Sequence, residues 1–423
     1  MLQRHQRNIQ VCFNFSQSAE NPLSTNLLLL LVTSSSSSSS SIFITTVTCL
    51  SSPTALQTLI CPTAKEHARK VAQNLGITKG LIYLLGTPSI IAEDSDEEVP
   101  FKQRRYFFYL SGADFEDCSL TYDIESDDLQ LYIPPLDPAE VIWLGPTPSV
   151  KECEEKYDVD HVGYNFEVPA YVASWRLRNP NNKLYVLHPG QLPSSLSDSD
   201  TGVDTARLQP AMDDARVIKT DYEVGLIRKA NEVSSWAHRR VLSLFCNVTN
   251  ETHIEAIFGG SCVFQGAKKQ AYGIIAGSGT NASTLHYVAN NQDIAGRQLV
   301  CLDAGCEWDC YASDITRTFP ITGTFSKEAQ EIYSIVEEMQ GRCIEQVKPG
   351  TVFLDLHRLA MEIGVKGLMK LGILHNGTYG EIAEAGTGRA FFPHGVSPTP
   401  SFSRQRKLTS HSWATTSASK PTT

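Results

Sequence analysis

The sequence predicts an α/β protein of two domains, with an α/β domain over residues 63–190, a linker at 191–206 and a second domain of helices and strands over 207–395. Three observations carry this prediction. Strand-length apolar runs alternate with amphipathic stretches through the first region. A stretch rich in Ser, Asp and Gly, without apolar period, separates the two regions. The second region holds long capped helical patterns around one strand–turn–strand segment.

Residues 64–75 place apolar side chains at helical spacing and read as an amphipathic helix. Residues 80–86 read as a buried strand, and residues 105–110, 129–133, 139–144 and 183–187 continue the series as strands. Past the linker, Thr220 and Glu223 stand three apart as a capping box, in which each side chain satisfies the other's backbone N–H. The helix it opens runs through Leu226, Ile227, Ala230, Val233 and Ala237. A second helix starts near Ser326, keeps its apolar period from Ala329 to Val347 and stops at Pro349-Gly350. A third spans 352–371 and closes at Gly372. The two ends differ in texture. Residues 1–62 carry a leucine run and a serine run without periodicity, and residues 396–423 hold 13 Ser or Thr and no acidic residue. Neither can build a core, so both are expected to be disordered.

Composition narrows the function classes. Of the 423 residues 41% are hydrophobic and 19% charged, and the net charge of -10 repels phosphate backbones. No basic stripe with interleaved aromatics offsets that charge, so nucleic acid is not an expected partner. The apolar run at 27–32 is six residues long, against about 20 for a membrane span. It is followed by eight serines rather than a small-residue cleavage site, so neither a membrane partner nor secretion is expected. Eleven cysteines at irregular spacing fit the reducing cytosol, and a cytoplasmic location is the expectation. Cys301, Cys306 and Cys310 are the nearest thing to a thiolate cluster, but no CxxC pair occurs and Cys301 lies in a strand run, so they are read as structural thiols.

The chemistry concentrates in residues 299–319. An apolar strand ends on Asp303 and a turn. After Tyr311, the residues Asp314, Thr316 and Thr318 alternate with Ile315, Arg317 and Phe319. Two carboxylates on facing antiparallel strands can converge on a hard divalent cation. On residues alone a second reading stands beside it, in which Asp303 caps a turn and Asp314 pairs with a base such as Arg317.

The segment resembles the metal hairpin of metallopeptidase family M24, with Asp303-Ala-Gly followed by Ser313-Asp-Ile-Thr-Arg-Thr-Phe-Pro320. Further motifs are similar to the same family: Gly277 to Tyr287, which places His286 before a tyrosine; Phe391-Phe-Pro-His-Gly395; Lys219 to Ala230; and Arg104 to Gly112. The likeness runs from about Pro62 to Gly395 and points to the Xaa-Pro aminopeptidase and prolidase branch. It implies an N-terminal creatinase/prolidase-like domain and a C-terminal pita-bread domain. It also implies two Mn²⁺ ions held by two Asp, one His and two Glu, with a bridging hydroxide that attacks the bond before proline. On this resemblance Asp303 and Asp314 are metal ligands, His286 contacts substrate and His394 steadies the tetrahedral intermediate. The implied substrates are peptides with proline in second position, and a homodimer is among the expected assemblies. The sequence departs from the family at position 398, where the metal-binding His would stand and Pro398 stands instead. Only two of five ligands are counted, so the pita-bread domain is expected to be incomplete, Mn²⁺ at most loosely bound and the chain inactive. A retained intron would leave such a break, since Val396-Ser397 can be encoded by a donor-site sequence. The alternative is a metal-free pseudoenzyme that uses the fold to bind a peptide or protein.

Overall fold

A computed structural model of the chain describes residues 63–139, 141–193, 196 and 200–392. The segments 1–62 and 396–423, on which the expectation of disorder falls, lie outside the described residues.

The first region is a six-stranded mixed sheet covered on both faces. Its strands are β1 (Leu81–Leu85), β2 (Ser119–Asp123), β3 (Asp128–Ile133), β4 (His161–Tyr164), β5 (Leu184–Tyr185) and β6 (Val203–Asp204), in the order β4-β3-β2-β1-β5-β6. Pairs β1–β2 and β2–β3 are antiparallel, and the other three are parallel. Strand β1 shows why its run is apolar throughout. Ile82 and Leu84 enter the core under helices α1 (Ala64–Leu75) and α2 (Arg105–Ser111), while Leu81 and Tyr83 meet Val168, Val172 and Trp175 on the opposite face. Successive side chains of a strand point to opposite faces, so burial on both sides requires apolar residues at every position. Helices α3 (Val141–Leu144), α4 (Val150–Lys156) and α5 (Val168–Arg178) make the connections, α4 opening on a Ser149–Glu152 capping box.

Three expectations are corrected by this region. Residues 105–110, expected as a strand, form helix α2, stopped by Gly112 at φ 70°. Five of its seven residues are buried, so a six-residue aromatic run shows no period by which to tell helix from strand. Residues 139–144 are also not a strand. The Asp137 side chain accepts the Ala139 N–H at 2.8 Å, the chain turns, and Ile142 and Trp143 are left in solvent. The expected linker at 191–206 ends in strand β6, and helix α6 (Leu208–Ala215) buries Leu208, Ala211, Met212 and Ala215 in the first core. The first region therefore extends to Ala215, past the boundary expected at 207. A two-residue strand carries no readable alternation, so composition misled.

The second region begins at α7 (Asp221–Leu244), opened by the Thr220–Glu223 capping box, and α8 (Glu251–Phe264), capped by Asn250. Their apolar faces, including Val233, Ala237, Ile254 and Phe258, pack on Val300, Leu302 and Ala304. Strand β9 (Leu299–Ala304) lies between β8 (Ile275–Ser278) and β12 (Ile315–Pro320). A separate three-stranded sheet holds β7 (Lys269–Gln270), β10 (Cys306–Trp308) and β11 (Tyr311–Ala312). Helices α9 (Lys327–Glu345) and α10 (Phe353–Lys370) come next, with α11 (Tyr379–Glu384) after them. The first two pack on each other, Ile335 lying where a side chain on Gly367 would be. Of α9 only Ala329 is buried, and Ile332, Val336 and Ile344 are exposed. Ile332 and Val336 of its apolar period are thus exposed among the described residues, while Met339 and Cys343 lie against α10.

Two buried carboxylates tie the regions together. Glu307 of β10 accepts two hydrogen bonds from the Arg105 guanidinium, that from Nη1 at 2.8 Å, and lies 3.7 Å from Lys102. Glu223 of α7 accepts from the Tyr311 hydroxyl at 2.8 Å and the Thr220 N–H at 2.7 Å, with His67 of α1 3.4 Å away. A carboxylate stripped of its partner keeps the desolvation cost without the Coulomb gain. Arg105→Met is therefore expected to lower the unfolding free energy by about 3 kcal/mol. Urea denaturation measures it, and a loss below about 0.5 kcal/mol, the scale of an exposed pair, would refute the assignment.

Candidate functional site

The site forms because one glycine lets a hairpin change sheets. After Ala304 the chain leaves the sheet of β9 and enters that of β10. At Gly305 an added Cβ would stand 2.0 Å from the Ser313 carbonyl oxygen, so no other residue fits. Ser313 secures the crossing, its N–H donating to the Cys306 carbonyl at 3.0 Å and its hydroxyl to the same oxygen at 2.9 Å. The tip is Asp309-Cys310, both left-handed at φ 43° and 63°, the geometry of a two-residue hairpin turn. The alternating stretch after Tyr311 is split between the two sheets. Ala312 pairs with Glu307 in the second sheet, and the partner of β9 begins at Ile315.

Asp314 occupies the step between these strands. In the antiparallel register Thr316 faces Asp303, so Asp314, two residues back, is its diagonal neighbour on the same face. Val300, Leu302 and Ala304 point the other way, into the core. The hydroxyl of Tyr272 joins the two carboxylates, 2.5 Å from Asp303 Oδ1 and 3.0 Å from Asp314 Oδ1. Burial and the two acids drive the Tyr272 phenol far above its usual pKa, so it stays protonated and supplies the one hydrogen they share.

Beneath the hairpin His238 of α7 donates from Nε2 to the Ala304 carbonyl at 3.1 Å and packs edge-on against Phe258. Burial lowers its pKa from 6.5 to about 4. The neutral ring is the folded form, so the stability it contributes is present above pH 6.5 and is lost as pH falls towards 4. The loss is roughly 3 kcal/mol. Urea midpoints from pH 7 to pH 4 should drop accordingly, and His238→Gln, which keeps an N–H donor, should flatten the dependence. An unchanged slope in that variant would overturn the assignment.

His286 is exposed in the loop joining β8 to β9. His394 lies outside the described residues. The structure thus brings Asp303 and Asp314 together and leaves His286 in the exposed loop between β8 and β9. Sequence reasoning missed Tyr272, His238 and Glu251, whose roles depend on contacts across 31 and 42, 66, and 27 to 41 residues. The only local signal was Tyr272 standing just before an apolar strand.

As a donor set, two carboxylates suit a hard divalent cation. Among the described residues no three His, Cys, Asp or Glu converge on a common point. A cation held here would draw most of its coordination from water, so no catalytic step through a metal can be derived from these residues. The cysteine trio is dispersed in role. Cys301 lies in β9, Cys306 is buried against Ser234, and Cys310 faces Asp114. No helix among the described residues is long and apolar enough to cross a membrane.

Residues 225–398 match the profile of metallopeptidase family M24, and residues 64–185 match that of the aminopeptidase P N-terminal domain. A probable Xaa-Pro aminopeptidase of Aspergillus niger is 53% identical over 335 residues, 79% of this chain and 68% of that protein. A probable Xaa-Pro aminopeptidase of Colletotrichum graminicola is 51% identical over 337 residues, 79% of this chain and 64% of that protein. The chain thus spans about two thirds of the length of these relatives. Among solved structures, Escherichia coli aminopeptidase P with the inhibitor Pro-Leu matches at a TM-score of 0.69 and 27% identity, over 79% of each chain. The zinc-substituted form of that protein in complex with product matches at 0.67 and 27%, with the same coverage.

Proposed function

The chain belongs to metallopeptidase family M24, carrying an aminopeptidase P N-terminal domain, and on that premise we propose that its site is built to remove the residue preceding proline from the N-terminus of peptides. The observation that carries this reading is the convergence of Asp303, on β9, and Asp314, in the step before β12, across a glycine-only crossing, on one hydroxyl. These carboxylates are the residues that would hold a divalent cation, Mn²⁺ in this reading. Such an ion, when bound with its full ligand set, supplies Lewis-acid polarisation and an acidified water. The chain's own residues do the rest. Tyr272 keeps the carboxylates together, His286 meets the peptide, and His394 stabilises charge on the attacked carbonyl. The substrates are peptides with proline second, and the eight described cysteines, all free thiols, suit a cytosolic setting.

The test is cleavage. Residues 64–395 joined to the C-terminal segment of a full-length relative should release the first residue of an Xaa-Pro peptide and spare the same peptide with alanine in place of proline. The absence of a third converging ligand among the described residues favours a second reading, a peptide-binding pseudoenzyme. That reading holds if the joined protein binds the peptide and does not cut it.

A further inference from the structure

Glu251, the first residue of α8, has no exposed surface, yet its carboxylate is among the most heavily contacted groups in the protein. Oε1 accepts from the Ser278 N–H at 2.8 Å, the Ser278 hydroxyl at 2.6 Å and Asn281 Nδ2 at 3.1 Å. Oε2 accepts from the Tyr287 hydroxyl at 2.7 Å and the Gln292 N–H at 3.1 Å. Arg297 stands 3.5 Å from Oε1 and itself donates to the Ser278 carbonyl at 2.6 Å. Burial would raise the pKa of this carboxyl, but the donors from Ser278, Tyr287 and Asn281 more than offset it and hold it below the usual range. Glu251 is therefore a buried, ionised carboxylate.

Its donors share one feature. Ser278, Asn281, Tyr287 and Gln292 all belong to the end of β8 and the loop beyond it, the loop that carries His286. The chain leaves β8 at Ser278, is caught again at Asn281, passes through exposed residues 283–286, and is caught at Tyr287 and Gln292. A second anchor closes the loop independently. Asn290, 1% exposed and left-handed at φ 41°, accepts from the Ala276 N–H and donates to Glu255 and the Ile274 carbonyl. Core packing accounts for neither, because Leu285 and Val288 of this loop are exposed. Five donors on one charge hold a loop that buries little apolar surface, and the residue that loop holds out is a histidine.

We propose that Glu251 is the positioning residue of the His286 loop, fixing the backbone on both sides of His286 so that the imidazole is pre-set for a peptide with proline in second position. The proposal rests on His286 meeting the peptide, and it adds the residue that makes that contact strong. An ordered loop binds more tightly because the entropy of fixing it is already spent. Tyr287 transmits the constraint most directly, being the next residue along.

The test uses the full 423-residue chain and the tripeptide Ala-Pro-Ala as probe. The His286 Cε1–Hε1 resonance is monitored during titration, and hydrogen exchange is measured for amides 278–292. In the native chain the resonance should shift on titration and the loop amides should be protected. Glu251→Gln places an NH₂ among donors, and should weaken binding about tenfold or more and remove the protection. Glu251→Asp should restore part of both. Tyr287→Phe, which deletes the hydroxyl's bonds to Glu251 and from Asn281 and buries no new donor, should weaken binding about threefold with the fold intact. Native affinity in Glu251→Gln, or in Tyr287→Phe together with unchanged loop protection, would overturn the positioning role. If the native resonance does not respond while protection still collapses in Glu251→Gln, the substrate reading of His286 fails. Glu251 is then a structural carboxylate only, which also overturns the proposal.

Discussion

Given Mn²⁺ and an Xaa-Pro peptide, the 423-residue polypeptide is expected to release no product above the uncatalysed background. Two carboxylates offer a divalent cation a foothold, and the described residues bring no third ligand to them. Residues 396–423 contain no acidic side chain, and Pro398 stands where the family resemblance implies a histidine ligand. A cation left mostly hydrated neither fixes a nucleophile at attack distance nor lowers the pKa of its water enough to attack an amide. Loss of a whole catalytic constellation costs on the order of 10⁶-fold, which puts turnover below detection in an ordinary peptide assay. The exposed Ile332, Val336 and Ile344 of α9 should also drive self-association, seen as early elution in size-exclusion chromatography. Xaa-Pro cleavage by this polypeptide that disappears in Asp314→Asn would overturn the expectation.

The converse experiment has the opposite sign. Residues 64–395 joined to the C-terminal segment of a full-length relative are expected to cleave Xaa-Pro peptides. In that protein Asp303→Asn or Asp314→Asn should each lower kcat/KM by more than about 100-fold, the upper end of the cost of losing only an outer partner of a metal site. The two substitutions should not be additive, because both carboxylates serve one centre. Their shared contact with Tyr272 makes the same point from the structure. Mn²⁺ removal by chelation should abolish activity and re-addition restore it. A joined protein that is folded, binds Mn²⁺ and tolerates Asp314→Asn would show that the carboxylate pair is not the reactive centre.

Much of this was legible in the residues themselves. Thr220 and Glu223, three apart, are sufficient for a helix start, because a capping box is closed by backbone and side chains within one turn. The helix over 64–75 appears with the bounds its amphipathic period predicts, and strand β1 lies within the run expected for it. Facing strands suggest Asp303 and Asp314 as neighbours, and in the fold both lie within reach of the Tyr272 hydroxyl. Other elements resisted. An aromatic run at 105–110 satisfies helix and strand alike when nearly every residue is buried, and only the sheet it packs against makes it α2. Strand β6 consists of two residues whose pairing with β5 is the whole of their strand character.

The sequence by itself determined the local and the repetitive: helix caps, amphipathic faces, the apolar strand runs, the glycine at 305 and the two acids that flank the hairpin. Each depends on residues within about one turn or one hairpin of each other, where spacing is geometry. Tertiary structure alone decided that Tyr272 would join those acids, that Glu251 would gather a loop reaching 41 residues ahead, and that Glu223 and Glu307 would bind the first region to the hairpin. These are buried polar contacts between segments far apart in the chain. A buried carboxylate must find its donors wherever the fold brings them, and no local pattern encodes which ones they will be.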